Sequence, residues 1–260
     1  MTAPFDLHVA YVVMMALGFA LVTTFRVTKP FTIPEDRRRY YTLQVITLVA
    51  AVVGAKFAVV LGDALWPLRP FDDWYALLGS GRSIVGALLF GFRSAEAAKP
   101  LLHYDIPPND RFAVILPFSI GIGRIGCLIV GCCRGVPWDG PWAITYSDGI
   151  PRHPAPVYEM VFNIAIGFVL LALCRRQILF GRLFALYLLS YGIFRFAIEF
   201  IREPDPQLGY LFHTGWLTMG QVQSLPLIIV GLVLLGMSRR APVVQPARVE
   251  VMAASHASAR

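Results

Sequence analysis

The chain has 260 residues, of which 57% are hydrophobic and only 15% are charged. A soluble domain of this length is about 45–50% apolar and about 25% charged, so the composition excludes an ordinary soluble fold and points to an all-α, polytopic membrane protein. The formal net charge of +7 would suit a nucleic-acid binder, but where the basic residues fall decides that question.

A membrane-spanning helix needs about 20 mostly apolar residues. Seven such segments are predicted in a single transmembrane domain over residues 1–240. The opening MTAPFDLHVAYVV lacks a basic leader and a clear cleavage site, and reads as the approach to span 1, Val9–Thr24. Span 2 covers Leu43–Leu65. Span 3 has a short apolar core, Ile84–Phe92, and is expected to borrow residues on its outer side, with Arg82 near the edge. Span 4 is Phe112–Cys132, span 5 Val157–Cys174, span 6 Leu183–Ile201 and span 7 Val222–Met237. Residues 241–260 are small and polar and read as a disordered cytoplasmic tail.

With the N-terminus outside, 15 of the 23 Lys and Arg residues fall in the inner loops and tail, and five on the outer side. That bias is the positive-inside signal, so the charge reports topology and no nucleic-acid partner is expected. Lys56, Arg124 and Arg195 lie within spans.

The polar residues of the spans gather at their outer ends. Span 4 closes on GIGRIGCLIVGCCRG, which holds Arg124, Gly126, Cys127, Cys132 and Cys133. Span 5 opens with Tyr158 and Glu159. Span 6 carries Tyr191, then Arg195, Glu199 and Arg202 at i, i+4 and i+7 on one helix face. A guanidinium in the bilayer costs about 2.5 kcal/mol or more, which makes such residues functional or paired. Two readings stand side by side. The arginines fork onto an anion, for which a phospholipid headgroup is the available candidate at that depth. Alternatively, Arg124 pairs with Glu159 and Arg195 with Glu199, forming a neutral network that holds helices together. Tyr11 and Tyr191 are equally readable as buried aromatics with satisfied hydroxyls. The cysteines lie within nine positions of Arg124 but show no CxxC and no Cys/His ligand spacing, so no metal and no cofactor is expected. His153 reads as a hydrogen-bonding loop residue, and Cys174 as apolar filler.

Four stretches together resemble the prolipoprotein diacylglyceryl transferases of bacteria. GRIGCLIVG at Gly123–Gly131 is similar to that family's GRIGNFxNGE. RHPAPVYE at Arg152–Glu159 is similar to HPxQLYE, and YGIFRFAIEFIREPD at Tyr191–Asp205 to YGxxRFxxExxREPD. LTMGQVQSLP at Leu217–Pro226 is similar to LTxGQxLSxP, and AYVVMMALGF at Ala10–Phe19 weakly resembles the first span. The resemblance implies seven spans in the inner membrane, an outside N-terminus and a cytoplasmic C-terminus. It implies transfer of the diacylglyceryl group of phosphatidylglycerol to the thiol of a prolipoprotein lipobox cysteine, with glycerol phosphate leaving. It makes Arg124, Arg195, Glu199 and Tyr191 candidate catalytic residues. It makes Arg124, Arg202, Tyr11, Tyr158, Glu159 and Gly126 candidate substrate-binding residues.

The chain also departs from that pattern. Val85 stands where the family has a histidine or tyrosine on span 3, and Pro156 replaces the glutamine of HPxQLYE. Cys127 and Cys132 replace an asparagine and the glutamate of the signature. Three readings follow: the ordinary transferase; a transferase with another acceptor, or with a covalent step through Cys127, Cys132 or Cys133; and a non-catalytic lipid-binding or redox-sensing membrane protein.

Overall fold

The computed structural model describes residues 5–24, 37–65, 83–103, 110–179, 181–204, 210–211 and 214–237. The expected tail over 241–260, and Arg82, lie outside these residues. Seven helices and one short hairpin are described: α1 (Phe5–Thr24), α2 (Arg37–Leu65), α3 (Ile84–Leu101), α4 (Asp110–Val130), β1 (Ile144–Thr145), β2 (Pro151–Arg152), α5 (Ala155–Arg175), α6 (Leu183–Ile198) and α7 (Met219–Met237). The all-α class follows. Four helices are long and apolar enough to cross a membrane, within α2, α4, α5 and α7, and α1 and α6 carry shorter apolar stretches.

Exposed apolar side chains identify the solvent of this fold. Val45, Val49 and Val52 on α2, Val161 and Phe168 on α5, and Ile229, Leu232 and Val233 on α7 all face outward. Contiguous apolar faces of this size mark contact with lipid. The shared interior is built from Val85, Leu88, Val114, Leu170, Leu183, Tyr187, Leu188 and Leu227.

α3 departs from the expected span 3. It gains its length on the other end, continuing through Arg93 and Lys99 to Leu101, and it starts at Ile84 with Ser83 as N-cap. The Ser83 hydroxyl takes the Gly86 amide and donates to Gln223 Oε1 at 3.0 Å, while Gln223 Nε2 donates to the Ala58 carbonyl at 3.0 Å. One capping residue therefore ties α3 to both α2 and α7.

Antiparallel neighbours make close helix contacts at glycines: α2 with α3, α1 with α4, and α6 with α7. A methyl group at Gly86 would run into the Gly54 carbonyl and lie 2.6 Å from Ala58 Cβ. Gly86→Ala is expected to destabilise the protein by about 1–3 kcal/mol, the usual cost of overpacking. Gly236→Ala, which has nothing within 4 Å, should leave stability unchanged or raise it. Thermal unfolding of both variants in detergent checks this.

At the end of the bundle away from Cys127, Cys132 and Cys133, the buried Asp110 carboxylate accepts the backbone amides of Gly181 and Phe184. This fixes the start of α4 against the entry to α6, and with it the axial position of Arg124 four turns on.

Candidate functional site

The end of α4 creates the first half of the site. Gly131 has φ +72° and caps the helix; its amide donates to Leu128 O at 3.2 Å, and the Cys132 amide reaches Cys127 O at 3.1 Å. This is a Schellman motif, whose geometry folds the second residue past the helix back over the fourth-last helical residue. Both residues are cysteines, Cys132 and Cys127. Cys133 follows at φ +58°, a left-handed conformation rare outside glycine, and turns the chain inward again. The three sulfurs lie within 4.8 Å of one another. Linear spacing gave no hint of this triad, because the helix cap brings it together. The signal that could have revealed it was Gly131 as a helix-ending glycine.

Arg124 stands one turn before Cys127. Its Nη1 faces Cys127 Sγ at 3.7 Å and Cys133 Sγ at 3.8 Å, and its Nη2 pairs with Glu159 at the start of α5. Glu159 is 1% exposed, so the pair is a buried one between α4 and α5. Arg124 Nε makes no hydrogen bond. The buried Tyr191 hydroxyl lies beside the Arg124 guanidinium and makes no well-formed hydrogen bond. Gly126 packs against α1, where a methyl group would meet Tyr11 Cδ2 at 3.1 Å. Below Glu159, Asn163 Nδ2 donates to the Glu159 carbonyl at 2.8 Å, and Asn163 Oδ1 accepts the Tyr187 hydroxyl at 3.1 Å. Asn163 and Tyr187 escaped the sequence reading, although Glu159 and Asn163 stand at i, i+4 within an apolar helix.

The second half centres on Glu199, at the end of α6. Its Oε1 pairs with Arg195 and accepts Arg202 Nη1 at 3.1 Å, while its Oε2 accepts the Thr218 hydroxyl at 2.8 Å. Thr218 and Gln221 form a capping box at the start of α7: Gln221 Oε1 takes the Thr218 amide at 2.8 Å, and the Gln221 amide reaches Thr218 Oγ1 at 3.3 Å. Between them, Gly220 leaves room for the carboxylate, since a Cβ there would sit 2.5 Å from Glu199 Cδ. The helix dipole of α7 thus faces an anion. Gln221 is fully buried, and its Nε2 has no partner.

The expected ion pairs, Arg124 with Glu159 and Arg195 with Glu199, both form. They do not neutralise the site. Arg202 adjoins both halves, within Coulombic reach of Arg124, Glu159 and Cys133. Counting arginines against carboxylates alone, three guanidiniums face two carboxylates, an excess of one positive charge before the thiols are considered. Tyr158 points elsewhere: its hydroxyl accepts Trp142 Nε1 at 2.7 Å and lies 3.2 Å from His153 Nδ1. His153 stacks on Trp138 at a centroid distance of 4.3 Å. Val85 is buried in the apolar interior, so no polar group occupies that place.

A loop clamp holds the two halves together. The strands pair Ile144 with Arg152 and Thr145 with Pro151. Arg134 and Arg152 each bridge Asp148 and Glu203, at 2.8–3.0 Å, in a closed ring of alternating charge. Gly135 pairs with Arg202, and the Val136 amide donates to Ile201 O at 3.0 Å. The Ile150 amide, with Arg152 and Arg134, holds the Asp148 carboxyl below its ordinary range. Its contribution is present above that range and is lost as the pH falls through the depressed value.

Residues 2–237 match the family model described as prolipoprotein diacylglyceryl transferase. The chain is 34% identical to the phosphatidylglycerol–prolipoprotein diacylglyceryl transferase of Stenotrophomonas maltophilia (strain R551-3), over 91% of this chain and 90% of that protein. It is 36% identical to the protein of that name from Solidesulfovibrio magneticus (strain RS-1), over 89% and 90%. With the one from Nitratidesulfovibrio vulgaris (strain Miyazaki F) it shares 38% identity, over 73% and 76%.

Proposed function

The chain belongs to the prolipoprotein diacylglyceryl transferase family, and we propose that it transfers the diacylglyceryl group of phosphatidylglycerol to a prolipoprotein lipobox cysteine. The observation that carries this reading is the excess guanidinium at the junction of Arg124, Arg195 and Arg202. The acceptor sulfur displaces a phosphate oxygen at a glyceryl carbon. Charge therefore builds on the leaving glycerol phosphate, and oriented cations lower that barrier. Arg124 and Arg202 bind the phosphodiester, with Arg124 anchored by Glu159, and Arg195 completes the positive wall. Tyr191 offers its buried hydroxyl to the same oxygens. Tyr11 and Gly126 form the close contact of α1 and α4 beside Arg124, against whose outer surface the phospholipid lies, and Tyr158 fixes the loop over the site.

Glu199 organises the arginines instead of taking a proton. Oε1 is engaged by two guanidiniums and Oε2 by Thr218, so neither oxygen is aimed at a thiol. The protein works in the bacterial inner membrane as one seven-span domain over residues 1–240. The site faces outward, and residues 241–260 form a cytoplasmic tail.

The test is complementation of a bacterium depleted of its own transferase, with release of glycerol phosphate from phosphatidylglycerol and a lipobox peptide measured in parallel. Rescue and release are expected. Neither, with the protein inserted and stable, would refute the activity.

A further inference from the structure

An acceptor thiol with a pKa of about 8.5 is only a few per cent ionised at neutral pH, and the thiolate is the nucleophile. The two carboxylates beside the arginines are not free to take that proton. Glu159 is held by Arg124, Glu199 by three partners, and the place of Val85 is apolar. What the site does contain is three thiols in a triangle.

We propose that Cys127, Cys132 and Cys133 form a three-thiolate site for a thiophilic divalent cation, zinc foremost, whose fourth position receives the acceptor thiolate. This rests on the transferase reading for its role, though not for its existence. The sulfurs are mutually within 4.8 Å. Thiolates about 2.3 Å from zinc stand about 3.8–4 Å apart, so side-chain shifts of under about 1 Å close the triangle. All three cysteines are free; Cys127 is buried, while Cys132 and Cys133 are partly exposed, which gives an entry path. Three protein ligands with one open position is the arrangement of catalytic zinc, whereas structural sites use four. Arg124 Nη1 faces two of the sulfurs, as an outer-shell donor does to metal-bound thiolate. The backbone preorganises the set, because the Schellman motif and the left-handed Cys133 fix it without the metal.

The chemistry balances. The acceptor thiol binds the cation as thiolate and releases its proton to water at the loop side. Its sulfur then forms the C–S bond to the glyceryl carbon. The C–O bond to phosphate breaks, and its electron pair leaves with glycerol phosphate, against the arginines.

The experiment uses the full chain purified in detergent with its thiols reduced. Elemental analysis after equimolar zinc should find about one zinc per chain. The Cys127→Ser/Cys132→Ser/Cys133→Ser variant should retain only background zinc. Cobalt(II) added to the wild type, which requires no variant to fold, should give sulfur-to-cobalt charge transfer and the intense visible bands of a tetrahedral thiolate site. Chelation should lower the transfer rate about tenfold or more, restored by zinc, as expected if thiolate supply limits the step. Zinc absent from the wild type, zinc equal in the triple variant, an octahedral cobalt spectrum, or a disulfide among the three would each overturn the site. Transfer that persists undiminished in metal-free protein overturns the role of the cation in thiolate supply and leaves the transferase reading standing. Stoichiometric zinc with the thiolate spectrum, but no transfer, overturns the transferase reading and leaves the site standing.

Discussion

Arg124→Ala is expected both to abolish transfer and to destabilise the protein, and the two effects separate in a double variant. Glu159 is 1% exposed and has Arg124 as its ion-pair partner. Removing one member of a buried pair leaves an uncompensated charge and costs about 3–5 kcal/mol. Adding Glu159→Gln removes that charge. Arg124→Ala/Glu159→Gln should therefore recover much of the lost thermal stability. Transfer should stay down by about 100-fold or more, the scale of a lost oriented donor at a developing anion. If activity returned along with stability, Arg124 would be a structural partner of Glu159 and nothing more. Unfolding in detergent and glycerol phosphate release, measured on the same preparations, decide between these.

Glu199 carries the second large effect. Glu199→Ala removes the one group joining Arg195, Arg202 and the Thr218 cap, leaving two guanidiniums facing each other. A loss of about 3–5 kcal/mol is expected, with loss of transfer. Glu199→Gln keeps the shape and some hydrogen bonding while raising the excess charge of the site from one to two. That variant should bind the phospholipid at least as tightly, seen as an unchanged or lower KM, with kcat reduced as the arginines lose their fixed positions. Were Glu199 the proton acceptor, kcat would fall in Glu199→Gln as far as in Glu199→Ala and its dependence on alkaline pH would change. Comparing kcat and KM across pH for wild type and Glu199→Gln distinguishes an organising carboxylate from a base.

Much of the protein was legible from the chain alone. Apolar run length sets helix position in a membrane, because backbone groups in lipid must bond within their own segment. The starts and ends of α1, α4, α5, α6 and α7 accordingly fall within a few residues of the spans read from composition, and so does the end of α2, whose start at Arg37 lies six residues before Leu43. The exception is α3, where hydropathy stops at Phe92 but the helix continues through charged residues to Leu101. Hydropathy measures transfer to lipid, and α3 is held by the glycine contact at Gly54 and Gly86 and by the Ser83 cap. The ion pairs were legible too, since intramembrane charge must find a partner and each arginine had a carboxylate at a compatible depth.

The tertiary structure alone decided what the charges and thiols do together. Sequence placed Thr218, Gly220 and Gln221 in a motif; packing shows that the cap hydroxyl and the missing Cβ cradle Glu199. The expected single helical face of Arg195, Glu199 and Arg202 does not form, because α6 ends at Ile198; the strand bridge to Gly135 instead brings Arg202 to Cys133 and Arg124. The cysteine triangle could not be read from spacing, because it depends on two left-handed residues that fold the chain back over its own helix. Periodicity describes regular elements, and these atoms meet where the regular element ends.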